Sequence, residues 1–274
     1  MNDPTRPRLL STAAFLRELG LPDIPARTHP FDPGYDPQTV VSHIEQSAHL
    51  MASLKISMAC WLVGAESAYR AKIAHARQRG VITVTGGGPF EIAVALGRLD
   101  AYLALCADMG IERIEAGHGF TDMPLSPADV ARRAAAFGLG FQFELGKKHG
   151  GTFTEDGIGD LIDLGQAWLD AGAVYLVIEA RESAAGVGIF DDSGGLNGQA
   201  ADRFARAFGL DRVVFEAPNK ASQFALLRHF GEQVALSNVR LEELLRVEIF
   251  RRHLHSDAFD AGFFRRRDAV EVAT

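Results

Sequence analysis

Eight short segments rich in aliphatic, aromatic and β-branched residues recur along the chain, each followed by a longer stretch with helical periodicity. The predicted strands begin near Ala26 (ARTHPFD), Met51 (MASLKIS), Gly80 (GVITVTG), Ile111 (IERIEAG), Leu139 (LGFQFEL), Ala173 (AVYLVIEA), Arg212 (RVVFEAP) and Gln233 (QVALSNV). Between them lie stretches such as EIAVALGRLDAYLALCADMG, whose apolar residues return every three or four positions. Ser126-Pro127 and Thr154 supply helix starts, and Gly110, Gly138 and Gly172 supply stops. Alternating strands and helices predict parallel pairing through right-handed crossovers. Eight such units close into a single-domain (βα)8 barrel, and 274 residues suit a fold that typically needs about 250. The rival is a doubly wound open sheet, but its GxGxxG fingerprint is missing after the first strand. The expected boundaries are an N-terminal extension over 1–25, the barrel over 26–259 and a C-terminal tail over 260–274.

Barrel enzymes carry their chemistry at the C-terminal ends of the strands. Here strand four ends in Glu115, strand five in Glu144, strand six in Glu179 and strand seven in Glu216. Asp32 ends strand one, and Glu91 follows the glycines after strand three. In strand five, side-chain alternation puts Gln142 and Glu144 on one face and Phe141 and Phe143 on the other. The phenylalanines suit the helix layer, so the carboxylate points into the barrel mouth. Carboxylates gathered at one rim repel each other unless cations intervene. Two readings answer that need: a structural salt-bridge network, or a hard divalent ion such as Mg2+ with oxygen ligands. Lys55, Lys147, Arg181 and Lys220 are the cations at the same rim. Gly86-Gly87-Gly88 is either a tight turn or a backbone cradle for phosphate. The segment Ser183 to Gly198 is a long loop on the active face, either a lid or simply flexible. His118, just past strand four, is either structural or a ligand or acid–base group at the mouth.

Charge narrows the class. The net charge of −7 provides no basic stripe for nucleic acid, although a few cations focused in a cleft still attract a small anion. Arg265, Arg266 and Arg267 read as a solvated tail. Cys60 and Cys106 form neither a CxxC pair nor zinc spacing, no Ser/His/Asp set is legible, and neither a leader nor a membrane span is visible. A cytoplasmic enzyme is the expectation.

From about Ala26 to Phe259 the chain resembles the phosphosulfolactate synthase family. The resemblance is carried by GGGPFEIA at Gly86–Ala93, FELGKK at Phe143–Lys148, AGAVYLVIEARESAAGVGIFD at Ala171–Asp191, VVFEAPNK at Val213–Lys220 and Asn238-Val239. It implies a Mg2+-dependent carbon–sulfur lyase of coenzyme M biosynthesis that joins sulfite to phosphoenolpyruvate. The implied roles are Lys147, with a lowered pKa, as proton donor; Arg181, Lys55, Lys220, Asn238 and Gly87 as substrate contacts; and Glu144, Glu179, Glu216 and Glu115 as metal ligands. The implied partners are those two small anions, with self-assembly into a homo-oligomer left open. Three stretches depart from the family pattern. Lys55-Ile56-Ser57-Met58-Ala59-Cys60 stands for a KFGWGT-like run, His118 stands for an aspartate, and Gly-Gly-Gly-Pro-Phe-Glu stands for Gly-Gly-Thr-Leu-Phe-Glu. These departures keep two alternatives in view: a paralogue running the same chemistry on another nucleophile or carboxylate, and a non-catalytic, stress-related barrel.

Overall fold

All eight predicted strands form within the segments read from the sequence: β1 (Thr28–Asp32), β2 (Leu54–Ile56), β3 (Thr83–Thr85), β4 (Arg113–Gly117), β5 (Gly140–Leu145), β6 (Leu176–Ile178), β7 (Val213–Glu216) and β8 (Ala235–Arg240). They pair in parallel, in sequence order, into one closed barrel. The computed structural model describes residues 11–21 and 23–260; the arginine cluster at 265–267 lies outside them. The helices are α1 (Thr12–Glu18), α2 (Pro37–Ser47), α3 (Cys60–Val63), α4 (Glu66–Gln78), α5 (Gly87–Ala95), α6 (Leu99–Met109), α7 (Pro127–Ala136), α8 (Glu155–Asp170), α9 (Gly198–Phe208), α10 (Lys220–Phe230) and α11 (Leu244–Arg251). Ser126 and Thr154 cap α7 and α8 by accepting the amides of Asp129 and Gly157, satisfying donors that have no partner inside the helix. Gly110, Gly138 and Gly172 follow α6, α7 and α8 at positive φ.

Strand parity sorts the side chains. On the outer face, Phe143 stacks on Trp168 of α8 at 4.0 Å between ring centroids, and Phe141 meets the same indole edge-on. The large apolar core lies in this layer between barrel and helices. Inside, Val177, Val214 and Ala235 form a small apolar group with Tyr175 packed against it, and Val84 is buried in register with Lys55 and Arg113. The rest of the interior is polar, with His29, Ser53, Lys55, Arg113, Gln142 and Ser237 all buried.

His29 shows the cost of that interior. Its Nδ1 lies 2.8 Å from Ser53 Oγ and its ring meets Tyr175 edge-on. Burial, and then the positive charge of Arg113, push its pKa from 6.5 down to about 3. The native imidazole therefore stays neutral where the unfolded one takes a proton. This contribution to stability is intact above pH 6.5 and fades as pH falls toward 3, at up to about 1.4 kcal/mol per pH unit. His29→Gln should flatten the acid limb of urea-unfolding free energy between pH 4 and 6. An unchanged slope would reject the assignment.

Two irregularities matter for the site. Between His29 and Pro30 the β1–β8 register slips: His29 pairs with Ser237, but Pro30 pairs with Val239. Proline brings no amide to the ladder, and Asn238 becomes the extra residue of a bulge, at φ 53°. The same seam is locked from outside. Thr28 donates to Glu248, while Arg251 reaches Glu248, Thr28 Oγ1 and the carbonyls of Glu232 and Val234.

The loop from Ser183 to Gly198 is packed onto the barrel. Val187, Ile189 and Phe190 are buried, Asp191 accepts the amides of Ser193 and Gly195, and Phe153 donates its amide to the Gly188 carbonyl. Gly188 sits at φ 58°, and a Cβ there would lie 2.2 Å from the carbonyl oxygen of Glu179. Only glycine allows the loop to press against the end of β6.

Candidate active site

The four strand-end glutamates converge as parity predicts, and all are buried. They are bridged by two lysines. Lys55 Nζ lies 2.7 Å from Glu115 and 3.7 Å from Glu216, and donates to Asn238 Oδ1 at 3.2 Å. Lys148 Nζ lies 3.0 Å from Glu144 and 2.9 Å from Glu179. The remaining oxygens are also engaged. Glu115 accepts from Gln142 and from the Gly87 amide, Glu216 from Asn238 and the Ala180 amide, and Glu179 from the Arg181 amide. The bulge explains Asn238: regular alternation would turn it outward, away from Ser237's face, whereas the extra residue swings it in.

Beside this ring Glu91, buried on α5, holds the loop after β4. Its Oε2 accepts from the amides of Phe120 and Thr121 and from the Thr121 hydroxyl. That loop must come close to Lys148, whose amide donates to the Gly119 carbonyl at 2.9 Å. A Cβ on Gly119 would stand 2.9 Å from Lys148 Cγ.

The electrostatics follow from crowding. Burial, reinforced by the charge of Glu179, holds Glu144 well above the usual carboxylate range and pushes Glu216 up to about 8. Burial acts the same way on Glu179, but the ammonium of Lys148 outweighs it and holds that carboxyl low. For Lys55 and Lys148 burial alone would lower the pKa; the flanking glutamates overcome it and keep both firmly protonated.

Several placements differ from the sequence reading. Lys147 does not enter the ring: its Nζ donates to the His118 carbonyl at 2.6 Å and the residue is exposed. β5 ends at Leu145 and Gly146, at φ 128°, turns the chain before the two lysines, so the strand's alternation does not reach them; the turn directs Lys148 to the carboxylates and Lys147 to the His118 carbonyl. His118 takes the outward phase of β4 and lies 5.5 Å from the Phe143 ring, its pKa lowered by burial and then by Lys147. Lys220 is drawn away to Asp257 at 3.3 Å and lies over Phe224. Arg181 contributes its amide, but its residue is exposed. Asp32 is committed to a buried pair with Lys72 at 2.8 Å. Gly86-Gly87-Gly88 is not a tight turn; Gly86 is the N-cap of α5 and Gly87 its first residue.

A metal has a mixed fit here. The donors are all carboxylate oxygens, which suits Mg2+. Four carboxylates against two ammonium groups leave a deficit equal to one divalent charge, and the same crowding is what raises the pKa of Glu144 and Glu216. Yet among the described residues no three His, Cys, Asp or Glu side chains already surround one point as ligands. The ring suits the ion in chemistry and charge rather than as a preformed cage. Among the described residues no helix is long and apolar enough to cross a membrane.

Comparison with known proteins gives the family. The family described as (2R)-phospho-3-sulfolactate synthase (ComA) matches residues 22–257. A phosphosulfolactate synthase of Methanocaldococcus jannaschii is 32% identical over 229 residues, covering 83% of this chain and 91% of the relative. One from Methanothermobacter thermautotrophicus is 26% identical, covering 82% and 88%. One from Bacillus subtilis is 28% identical, covering 69% and 75%.

Proposed function

Because the chain belongs to the phosphosulfolactate synthase family, we propose that it is a cytoplasmic carbon–sulfur lyase that adds sulfite to phosphoenolpyruvate. The observation that carries this reading is the ring of four glutamates and two protonated lysines at the strand ends. Sulfite forms a C–S bond to the methylene carbon, the double-bond electrons move into the substrate carboxylate, and a proton then joins the carbon bearing the phosphate. Lys148 is the donor of that proton in place of Lys147. Its Nζ is held by Glu144 and Glu179, and its side chain is 29% exposed, open to the mouth. Glu144, whose carboxyl is held well above the usual carboxylate range by burial and then by the charge of Glu179, stands next to it and can relay a proton. Lys55, whose side chain is only 10% exposed, holds its charge between Glu115, Glu216 and Asn238 and orients the anion from below. Glu144, Glu179 and Glu216, with Glu115, are the residues that would hold Mg2+, which when bound stabilises charge developing on the substrate carboxylate.

Incubating the protein with phosphoenolpyruvate, sulfite and Mg2+ should give the sulfonated adduct by mass spectrometry. Absence of adduct under conditions where a family relative makes it would reject sulfite as the nucleophile. The same assay with other nucleophiles would then test the altered turn after β2, where Met58 stands exposed at φ 46°.

A further inference from the structure

Lys147 and His118, both outside the carboxylate ring, meet elsewhere. Both line a separate cavity of about 280 Å³ between the loop after β4, the start of α7 and helix α8. Its apolar wall is formed by Met123, Leu125 and Leu164. Pro127 and Trp168 complete the lining; Trp168 is 1% exposed, and its indole Nε1 has no hydrogen-bond partner among the described residues. A buried N–H without an acceptor is costly, so an indole in that state beside a cavity is a donor available to an acceptor from outside the chain.

We propose that this cavity is a second ligand site, distinct from the ring, for a small carboxylate with a short apolar body. The chemistry of each wall supports that class. Lys147 brings a cation and Trp168 a donor, which together suit a carboxylate. Burial holds the His118 imidazole neutral, so it adds a polar contact without a second charge. Met123, Leu125 and Leu164 take a branched or straight aliphatic chain. Asp122, also at the cavity, is exposed, where water screens its charge. The volume falls just below the range of about 300–1,000 Å³ usual for drug-sized ligands, so the occupant is smaller. The site borders the ring through the backbone: the His118 carbonyl holds Lys147 and the next carbonyl, of Gly119, holds the Lys148 amide.

The chain has two tryptophans, so the indole N–H region of a 15N-correlation spectrum separates the site from an internal control at Trp61. Trp168→Phe, which keeps the stack on Phe143, identifies the Trp168 signal. Titration with 4-methylpentanoate should shift that signal saturably and leave Trp61 in place. The neutral 4-methylpentanamide should bind at least tenfold more weakly, and Lys147→Met should weaken the carboxylate by a similar factor. No saturable shift up to tens of millimolar, equal movement of both indoles, or an equal response to the amide would each overturn the proposal.

Discussion

Replacing Lys148 with Met is expected to lower kcat/KM for adduct formation by about 10²–10⁴-fold, the usual contribution of a positioned acid, while Lys147→Met loses at least tenfold less. The contrast follows from where the two ammonium groups lie. Lys148 Nζ touches Glu144 and Glu179, whereas Lys147 Nζ touches only the His118 carbonyl. Removing the Lys148 ammonium also strands two buried carboxylates. Breaking a buried pair costs about 3–5 kcal/mol, and less is expected here because the Lys148 side chain is 29% exposed. Melting temperatures measured alongside the kinetics separate lost chemistry from lost fold. Equal kinetic losses in the two variants, or a greater one at Lys147, would return the proton donor to Lys147.

The second large effect is expected at a residue that touches no substrate. Gly188→Ala places a methyl 2.2 Å from the Glu179 carbonyl at φ 58°. The left-handed backbone alone costs about 1–2 kcal/mol for a residue with a Cβ. Displacing a backbone carbonyl brings the total to about 3–4 kcal/mol, or roughly 10 °C in melting temperature. Gly231→Ala is the control: φ is 75° but nothing lies within 4 Å of the added methyl, so only about 1–2 kcal/mol is lost. Gly188→Ala should also depress activity, because the carbonyl it displaces belongs to Glu179, the partner of Lys148. Matching melting temperatures for the two variants would show that the loop yields without moving β6.

These two residues also mark where sequence reasoning stops. Alternation along FQFEL was enough to turn Glu144 inward and Phe143 toward α8, and position at the strand ends supplied Glu115, Glu179 and Glu216. Neither reaches the choice between Lys147 and Lys148, because the strand ends at Leu145 and Gly146, at φ 128°, turns the chain before them. Asn238 was reachable only through the family resemblance, because its inward turn depends on a register slip that Pro30 imposes from another strand. Lys220 looked equivalent to Lys55, but its partner Asp257 lies 37 positions later, across a contact that no local pattern encodes. The Ser183–Gly198 segment has the glycines of a mobile loop, yet it packs down by burying Val187, Ile189 and Phe190 beneath it. The glycine triplet in sequence fits either a tight turn or a phosphate cradle; in the structure Gly86 lies outside α5 as its cap, and Pro89 suits the first turn.

The β8–β1 seam has a consequence for biosynthesis. Thr28 and the guanidinium that fastens it are 223 residues apart. During translation, at roughly 5–20 residues per second, the first strand therefore waits tens of seconds on the ribosome before its closing partner exists. Through that interval the growing chain carries an open sheet edge and an incomplete polar interior, and stop codons placed before residue 251 should yield products that depend on chaperones or are degraded.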